Sequence, residues 1–421
     1  MIRLVVATAL GVSLLLMPAT ARAQTVAELQ LGSSGQGRPI TAIRVGDGPR
    51  KLVIVGDTHG FPEANTYALA TQLAAHFRAN PGEVPPAVRL YIIPTLNPDG
   101  LALGTRFNAR GVDLNRNMNT NFDTCPENDW RPTVFGAYGL IADTGGPYAD
   151  SEVESRLIRT FLLDASAAIF LHSAAGNVFP AECAHAPSIA LAQAYAAGAG
   201  YRYARRWEAY QITGGMHDWA GSLGIAAIIP ELLTGELPEF AQNLSGVRAV
   251  LASAAELVPA VEDVLVDGQP IPAPIWRYWR MHGGSARFGP LLAAPERQGP
   301  LVRVRSANAL LLYDARLADT PGVVQAAPFA APIPALAAPA EEPAAFAAFY
   351  AREDGPTILG LPLGSAYHAR DASGLLRILR VYERGVLAYD PASDTVYPEP
   401  IVWQETLRTA AAAPTRAAQL R

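Results

Sequence analysis

The sequence predicts an α/β protein with a mainly parallel mixed sheet flanked by helices, followed by a smaller β-rich region of two repeats. In residues 24–260, short apolar runs alternate with amphipathic stretches, a pattern typical of mainly parallel sheets. After Leu257 the composition shifts to Pro, Ala and Arg, and a motif recurs at an offset of 71 residues. A chain of 421 residues, half of them apolar, is also too long for one ordinary core, so two or more domains are predicted.

The first 23 residues have the pattern of a secretory signal peptide. Arg3 precedes an apolar run over residues 4–17, and small residues at Ala21 and Ala23 form a cleavage site. Cleavage there would make Gln24 the first residue. No later stretch is long and uncharged enough to span a bilayer, so a secreted protein without a membrane span is predicted.

The charged residues exclude some classes of function. The formal net charge is −5, which leaves no basic footprint for nucleic acid. Lys51 is the only lysine, so chemistry that needs a Schiff base or a lysine general base has almost no candidate.

Cys125 and Cys183 are the only two cysteines. In the oxidising compartment that a signal peptide implies, a disulfide between them is the default expectation. A zinc-binding pair is the alternative, which is less favoured because neither cysteine has a Cys-x-x-Cys spacing.

Four buried strands and four helices are predicted in the first domain. The strands are residues 53–55, 89–94, 167–171 and 224–229. The helices are residues 65–77, 151–163, 188–197 and 238–257. Ser151 and Glu154 have the spacing of a capping box at the start of the second helix.

A polar cluster follows each of these strands. His59 and Glu63 follow the first, residues 97–100 the second, His172 the third and Glu231 the fourth. In open α/β sheets ligands bind beyond the carboxyl ends of the strands, so the four clusters should converge on one site. An imidazole and a carboxylate a few residues apart can supply two of the three protein ligands of a catalytic zinc ion, with a third ligand far downstream.

The segment 104–117 lies between the second and third strands and is dense in arginine and asparagine. Guanidinium and amide groups are suited to binding a carboxylate or an oxyanion. Because this segment must run along the same edge of the sheet, we expect it to recognise an anion in the site.

These motifs resemble those of the zinc carboxypeptidases of the carboxypeptidase A-like family, over residues 53–251. The matching segments stand in the family's order and are residues 97–100, Arg106, residues 111–117, residues 210–219 and residues 230–232. The resemblance implies a hydrolase with one Zn²⁺ per chain that acts on peptides with a free C-terminus.

By this resemblance, five residues carry the catalysis. His59, Glu63 and His172 would hold the zinc ion, and Glu231 would be the general base and acid. Arg106 would face the developing oxyanion. The family usually spaces its first two ligands as His-x-x-Glu, whereas here three residues separate them. Asp57 is the alternative ligand if Glu63 is displaced.

The resemblance also implies how the substrate is held. Asn115 and Arg116 would bind its terminal carboxylate, and Tyr210 would close over it. Asp113 would orient the first histidine ligand. His217 stands where the family places a residue at the floor of the pocket for the terminal side chain. With an unperturbed pKa near 6.5, His217 is expected to favour terminal Asp or Glu below about pH 6.5.

The remainder of the chain divides into repeats. The predicted domains are the signal peptide (1–23), the catalytic domain (24–265), a first repeat (266–325), an Ala/Pro-rich linker (326–345) and a second repeat with a tail (346–421). The repeats faintly resemble LGFP-type repeats, which implies binding to a cell-wall or surface polymer. The alternative is a purely structural appendage. The catalytic domain is expected to fold and act without them.

The predicted function is therefore a secreted zinc metallocarboxypeptidase. A murein-peptide amidase or an N-acyl amino acid deacylase would use the same site, and a catalytically silent wall-binding protein is a further alternative. A serine hydrolase built on Ser222 is excluded by context, because no strand immediately precedes that serine.

Overall fold

The computed structural model describes residues 24–135, 141–307, 309–327, 338–353, 355–371 and 373–399. The predicted signal peptide, part of the Ala/Pro-rich linker and the C-terminal tail from residue 400 lie outside the described residues. Within these ranges, none of the helices combines the length and apolar character needed to cross a membrane.

Strands and helices alternate through the first part of the chain. In order they are β1 (Val26–Ser33), β2 (Pro39–Val45), β3 (Arg50–Val55), α1 (Ala64–Ala79), β4 (Val88–Ile93), α2 (Pro98–Leu103), β5 (Val134–Phe135), β6 (Ile141–Ala142), α3 (Val153–Phe161), β7 (Ala167–Phe170), β8 (His172–Ser173), β9 (Asn177–Pro180), α4 (Ala186–Ala199), β10 (Arg202–Tyr203), α5 (Met216–Ser222), β11 (Ala226–Leu232), α6 (Phe240–Ala252) and α7 (Ala254–Leu257).

Nine of these strands form one mixed sheet. Its order is β1-β2-β4-β3-β7-β11-β9-β10, and the short strand β8 pairs with the end of β11. The central strands β4, β3, β7 and β11 run parallel, whereas β2 and β9 join them antiparallel. The predicted fold class is confirmed, and the carboxyl ends of the central strands share one edge of the sheet.

Helices cover both faces of the sheet. On β3, Val53 and Val55 pack into the core on the side of α3 and α5, whereas Leu52 and Ile54 pack into the core beneath α1, α4 and α6. Successive side chains of a strand point to opposite faces, so a strand buried on both sides must be apolar throughout. This explains why the central strands appear in the sequence as continuous apolar runs.

Several predicted element boundaries differ from the structure, and three of the differences affect the interpretation. The second helix, α3, begins at Val153, and its first turn has no side-chain cap. The Glu154 carboxylate instead accepts hydrogen bonds from Gly35 N (2.9 Å) and Asn108 Nδ2 (3.2 Å). The last predicted helix is divided at Ser253 into α6 and α7. Strand β11 continues to Leu232, so Glu231 lies within the strand and not after it.

The second part of the chain contains three smaller antiparallel sheets and four short helices among its described residues. In order the elements are β12 (Asp263–Val266), β13 (Gln269–Pro272), α8 (Ala273–Met281), α9 (Gly284–Phe288), β14 (Glu296–Gln298), β15 (Leu301–Arg305), β16 (Leu310–Asp314), β17 (Val324–Ala326), β18 (Ala338–Pro339), α10 (Ala344–Arg352), α11 (Gly355–Ile358), β19 (Tyr367–Arg370), β20 (Leu376–Tyr382), β21 (Gly385–Asp390) and β22 (Thr395–Pro398). The sheets are β12-β13, β14-β15-β16-β17 and β18-β19-β20-β21-β22. A pair of helices followed by four antiparallel strands thus occurs twice, and α10 begins and ends 71 residues after α8.

The first repeat packs directly against the large sheet. Lys51 Nζ, at the start of β3, is buried, donates to Ala318 O (3.0 Å) and forms an ion pair with Asp164 (2.7 Å). Tyr91 OH donates to Asp319 (2.5 Å). Arg277 on α8 is also buried and donates to backbone carbonyls of the first domain, including that of Leu223 (3.0 Å). A chain ending at residue 265 would lack Arg277, Ala318 and Asp319, so independent folding of residues 24–265 remains a prediction.

Candidate active site

The loop after β3 and the short strand β8 bring three potential metal ligands together. His59 Nδ1 lies 2.8 Å from Glu63 Oε1, and His172 Nδ1 lies 3.0 Å from Glu63 Oε2. All three side chains are buried, and one potential ligand atom from each lies within 4.8 Å of the others. Asp57, the alternative ligand, does not belong to this cluster and accepts a hydrogen bond from Thr95 Oγ1 (2.5 Å).

The hydrogen bonds of the cluster fit a bound cation. His59 Nε2 lies 2.9 Å from Asp113 Oδ1, so the proton of a neutral His59 belongs on that nitrogen. Its Nδ1 lone pair would then face the Glu63 carboxylate, an arrangement that requires either a proton or a metal ion between the two acceptors. Two imidazole nitrogens and one carboxylate form a typical ligand set of catalytic zinc, which keeps a fourth position open. The three residues therefore fit a zinc ion.

The charges in this cluster are strongly coupled. Burial and Arg106 alone would lower the pKa of His59, but the carboxylates of Glu63 and Asp113 raise it above its usual value. Burial alone would raise the pKa of Glu63, whereas His59 and the hydrogen bond from His172 hold it well below its usual range. Burial lowers the pKa of His172 to about 4, against the opposing effect of Glu63. The cluster thus contains a stable carboxylate flanked by two imidazoles.

Arg106 links the cluster to its supporting carboxylate. Its Nη1 donates to Glu63 Oε1 (2.6 Å) and its Nε donates to Asp113 Oδ2 (2.9 Å). Burial would lower the pKa of Arg106, but Asp113 and Glu63 raise it, so the guanidinium stays charged. Its side chain also lines the pocket described below. The residue predicted to face an oxyanion is therefore held beside the proposed ligands by two carboxylates.

A 3₁₀ turn over Leu114–Arg116 places the two residues predicted to bind the terminal carboxylate. Asp113 caps this turn by accepting a hydrogen bond from Asn115 N (3.0 Å). Asn115 Oδ1 accepts from Met216 N (2.9 Å), which fixes the amide against the start of α5. Arg116 donates to Asn115 O (2.9 Å) and to Phe135 O (3.1 Å). Both side chains are buried, yet they line the same pocket as His59.

This pocket has a volume of about 620 Å³ and contains every predicted catalytic and substrate-binding residue. Tyr210 lies at its side, with the Arg116 guanidinium 6.0 Å from its ring. Glu231 on β11 pairs in register with His172 on β8, and its carboxyl group is close enough to Glu63 and His59 to interact with their charges. Burial, and after it the charge of Glu63, raises the pKa of Glu231 to about 8. A carboxyl group with a raised pKa is suited to exchanging protons near neutral pH.

The expected charge of His217 was wrong. His217 does line the pocket, but burial and the nearby Arg116 lower its pKa to about 3. The side chain is therefore neutral in the free protein across the range in which it was expected to titrate. The sequence alone could not reveal this shift, because Arg116 lies about 100 positions earlier in the chain.

Three further residues of the pocket were not predicted from the sequence. Glu182, Arg206 and Trp207 line the pocket, on the segments that follow β9 and β10. Burial and the carboxyl group of Asp218 raise the pKa of Glu182 to about 7. Residues 202–207 contain three arginines and two aromatic residues, a concentration that is visible in the sequence but has no motif to assign it a role.

Cys125 and Cys183 form a disulfide, and their Cα atoms are 5.8 Å apart. It joins the loop after the 3₁₀ turn to the segment that follows β9. Because Glu182 precedes Cys183, this covalent link holds one wall of the pocket close to the segment that carries Arg116.

Two sequence comparisons place the chain among known proteins. The profile of the peptidase M14 family, described as zinc carboxypeptidase, matches residues 16–243, more than half of the chain. Carboxypeptidase SOL1 of Arabidopsis thaliana is 30% identical over 115 residues, a match that spans 24% of this chain and only 23% of the plant protein.

A search of solved structures matched just over half of this chain to several proteins. Bovine thrombin-activatable fibrinolysis inhibitor, in complex with tick carboxypeptidase inhibitor, is 21% identical, with 55% of this chain and 89% of that chain covered and a TM-score of 0.45. Carboxypeptidase A from Helicoverpa armigera is 20% identical, with 55% and 70% covered and a TM-score of 0.44. Murein-tripeptide amidase MpaA from Escherichia coli O157 is 21% identical, with 53% and 90% covered and a TM-score of 0.39.

Proposed function

Because the chain belongs to the zinc carboxypeptidase family, we propose that it is a secreted metallocarboxypeptidase that removes C-terminal residues from peptides. The observation that supports this most is the convergence, in one pocket, of a His59–Glu63–His172 cluster with Glu231 and Arg116. The cluster provides ligands for one zinc ion, Glu231 a proton acceptor and Arg116 a fixed cation for a terminal carboxylate.

The protein's own residues account for binding and proton transfer. Arg116 and Asn115 would bind the terminal carboxylate, which selects exopeptidase cleavage because a blocked terminus offers no anion there. Glu231 would take a proton from the attacking water and return it to the leaving amine. Arg106 would stabilise the negative charge that develops on the carbonyl oxygen. Zinc, when bound, supplies Lewis-acid activation of water and of the scissile carbonyl.

The pocket residues suggest how the terminal side chain is accommodated. Neutral His217 has an Nδ1 atom that is buried without a hydrogen-bond partner among the described residues. Glu182 lines the same pocket. Asp218 is the next residue after His217, and burial raises the pKa of Asp218 to about 7. Since His217 is neutral and the nearby acids carry negative charge above about pH 7, this pocket favours terminal side chains that donate hydrogen bonds over acidic ones.

The test combines metal content with a peptide panel. Peptides with free and amidated C-termini are incubated with the wild type, with Glu231→Gln, and with Glu236→Gln, an exposed glutamate on the loop after β11. We expect about one zinc ion per chain in all three proteins, and a loss of turnover of about 10²- to 10⁴-fold in Glu231→Gln only. Retained turnover in that variant would contradict the mechanism. Preference for amidated or murein-type peptides would instead identify an amidase.

Secretion and attachment are separate parts of the proposal. The signal peptide pattern supports export, and fractionation of producing cells should find the chain, beginning at Gln24, outside the cytoplasm. Binding of the C-terminal repeats to a surface polymer remains a prediction from the sequence. A pull-down with cell envelopes, comparing the full chain with an unrelated secreted enzyme, tests it.

A further inference from the structure

A second cavity, rich in arginine and called the basin below, opens beside the catalytic pocket. Its volume is about 380 Å³, and its lining includes Arg202, Arg205 and Arg206 together with Tyr203. Four residues line both this basin and the catalytic pocket, namely Phe179, Arg206, Trp207 and Ala209. The two cavities are therefore adjacent parts of one surface.

The segment that forms this basin is held firmly by the sheet. Strand β10 pairs in parallel with β9 at the edge of the sheet, with Arg202 opposite Asn177. Ala204 N then donates to Val178 O (3.1 Å). Trp207 packs against Phe179 and Tyr210, with ring centroids 5.7 Å and 5.5 Å apart. The arginines thus project from anchored backbone next to the mouth of the pocket.

Three arginines line the basin with one acid, and Arg206 also lies near enough to Glu182 to lower the pKa of that carboxyl group. All three arginines are exposed, and none forms an ion pair with another described residue. Arg202 Nε donates to the neutral Asn177 Oδ1 (2.8 Å), and Glu208 is the one acid that lines the basin. Trp207 Nε1 is buried at the junction of the two cavities without a hydrogen-bond partner among the described residues. This concentration of donors contrasts with a formal net charge of −5 for the whole chain.

We propose that the arginine basin, defined as Arg202, Arg205 and Arg206, is a substrate subsite for carboxylate side chains upstream of the scissile bond. The preferred substrates would be peptides that are acidic near, but not at, the C-terminus. This inference rests on the proposed carboxypeptidase function. It concerns residues that play no part in the proposed catalytic step.

Geometry favours a peptide carboxylate as the occupant. The terminal carboxylate is expected at Arg116, inside the pocket, so the upstream part of a peptide must leave through the mouth. An extended chain advances about 3.3 Å per residue, and the basin borders the pocket, so the side chains of the nearest upstream residues can reach it. Guanidinium groups bind carboxylates in a bidentate manner, and aromatic surfaces such as Trp207 can support the peptide beside them.

The test uses two synthetic peptides with the same two C-terminal residues. One carries two Glu and the other two Gln at the third and fourth positions from the C-terminus. We expect wild-type kcat/KM to be about five- to tenfold higher for the Glu peptide at low salt, from two exposed ion pairs. The preference should shrink at high salt because exposed charges are screened. The double variant Arg202→Gln/Arg205→Gln should reduce the ratio towards one, and Arg205→Glu/Arg206→Glu should invert it.

Arg370→Gln is the matched control. Arg370 is an exposed arginine on β19 in the second repeat, so its replacement removes one positive charge, as each of the two substitutions in Arg202→Gln/Arg205→Gln does, but leaves the basin intact. The Glu preference should survive in this control. Equal kcat/KM for both peptides in the wild type would overturn the proposal. An unchanged ratio of kcat/KM for the Glu and Gln peptides in Arg202→Gln/Arg205→Gln would also overturn it.

A binding measurement separates this proposal from the proposed function. If the wild type cleaves neither peptide, the carboxypeptidase activity fails, and the basin is tested alone by fluorescence polarisation of labelled peptides on the Glu231→Gln protein. Tighter binding of the Glu peptide that is lost in Arg202→Gln/Arg205→Gln supports the subsite. Equal dissociation constants for the Glu and Gln peptides overturn it.

Discussion

Replacing Asp113 with asparagine tests the electrostatic support of the proposed zinc site. The buried carboxylate accepts hydrogen bonds from His59 Nε2 (2.9 Å), Asn115 N (3.0 Å) and Arg106 Nε (2.9 Å). The first two donors share Oδ1, so the amide oxygen of the variant should occupy that position. Its NH₂ group would then face the N–H of Arg106, and two donors cannot form a hydrogen bond.

The expected effect on metal binding follows from these contacts. The bond to Arg106 is charge-assisted, and losing it while the guanidinium stays buried costs about 1.5–3 kcal/mol. The variant also removes the negative charge behind His59, which makes the imidazole a weaker base. Loss of such a partner typically weakens metal affinity 10–100-fold. We therefore expect the Kd for zinc to rise by about 10- to 100-fold.

The assay is a competition between the protein and a chromophoric chelator at constant pH. Asp99→Asn is the matched control, because Asp99 is equally buried and accepts from Ser34 Oγ (2.8 Å), Gln36 N (2.9 Å) and Arg38 (2.6 Å). Among the described residues, Asp99 forms no hydrogen bond or ion pair with His59, Glu63 or His172. Thermal unfolding of both variants shows whether each loses a comparable amount of stability.

Two outcomes would refute this reasoning. An unchanged zinc Kd in Asp113→Asn would show that the carboxylate does not support His59 as a ligand. Equal weakening of zinc binding in Asp99→Asn would show that general destabilisation, and not the contact to His59, determines the affinity.

Two further predictions concern stability. Lys51→Met should lower the free energy of unfolding by about 3–5 kcal/mol, because it leaves Asp164 buried without its closest cation. Urea titrations measure this loss, and a value below about 1 kcal/mol would contradict the prediction. Burial raises the pKa of Asp218 to about 7, so the folded state keeps a proton that the unfolded state loses above about pH 4. The free energy of unfolding should therefore fall between about pH 4 and pH 7, and Asp218→Asn should flatten this dependence.

The fold class and the location of the site were accessible from the sequence because both depend on local patterns. Strands β3, β4 and β7 are buried on two faces, so they appear as apolar runs whose ends are easily recognised. The polar residues that follow them, such as His59 and His172, then lie at one edge by the geometry of a parallel sheet. The structure brings these residues together with Arg116 and Glu231 in one pocket.

Features that depend on contacts between residues far apart in the sequence could not be predicted from the sequence. Glu154 has the spacing of a capping residue, but its carboxylate accepts a partly buried hydrogen bond from Gly35 N, 119 positions away, instead of forming a local cap. His217 has an ordinary local sequence, and only its burial beside Arg116 lowers its pKa. The contact between Lys51 and Ala318 joins residues 267 positions apart, so no pattern in either segment predicts it.

The spacing of His59 and Glu63 shows why a departure from the motif need not displace the proposed ligand Glu63. Helix α1 begins at Ala64 with Glu63 at its N-cap, and Thr66 Oγ1 donates to Glu63 O (2.7 Å) while accepting from Asp57 N (3.1 Å). The position of Glu63 is therefore fixed by the start of the helix and its link to the end of β3. Within the intervening loop Gly60 is buried against Gly100, whereas the next residue, Phe61, is 62% exposed. A loop anchored at both ends can lengthen outward, so the additional residue leaves the Glu63 carboxylate between the two histidines.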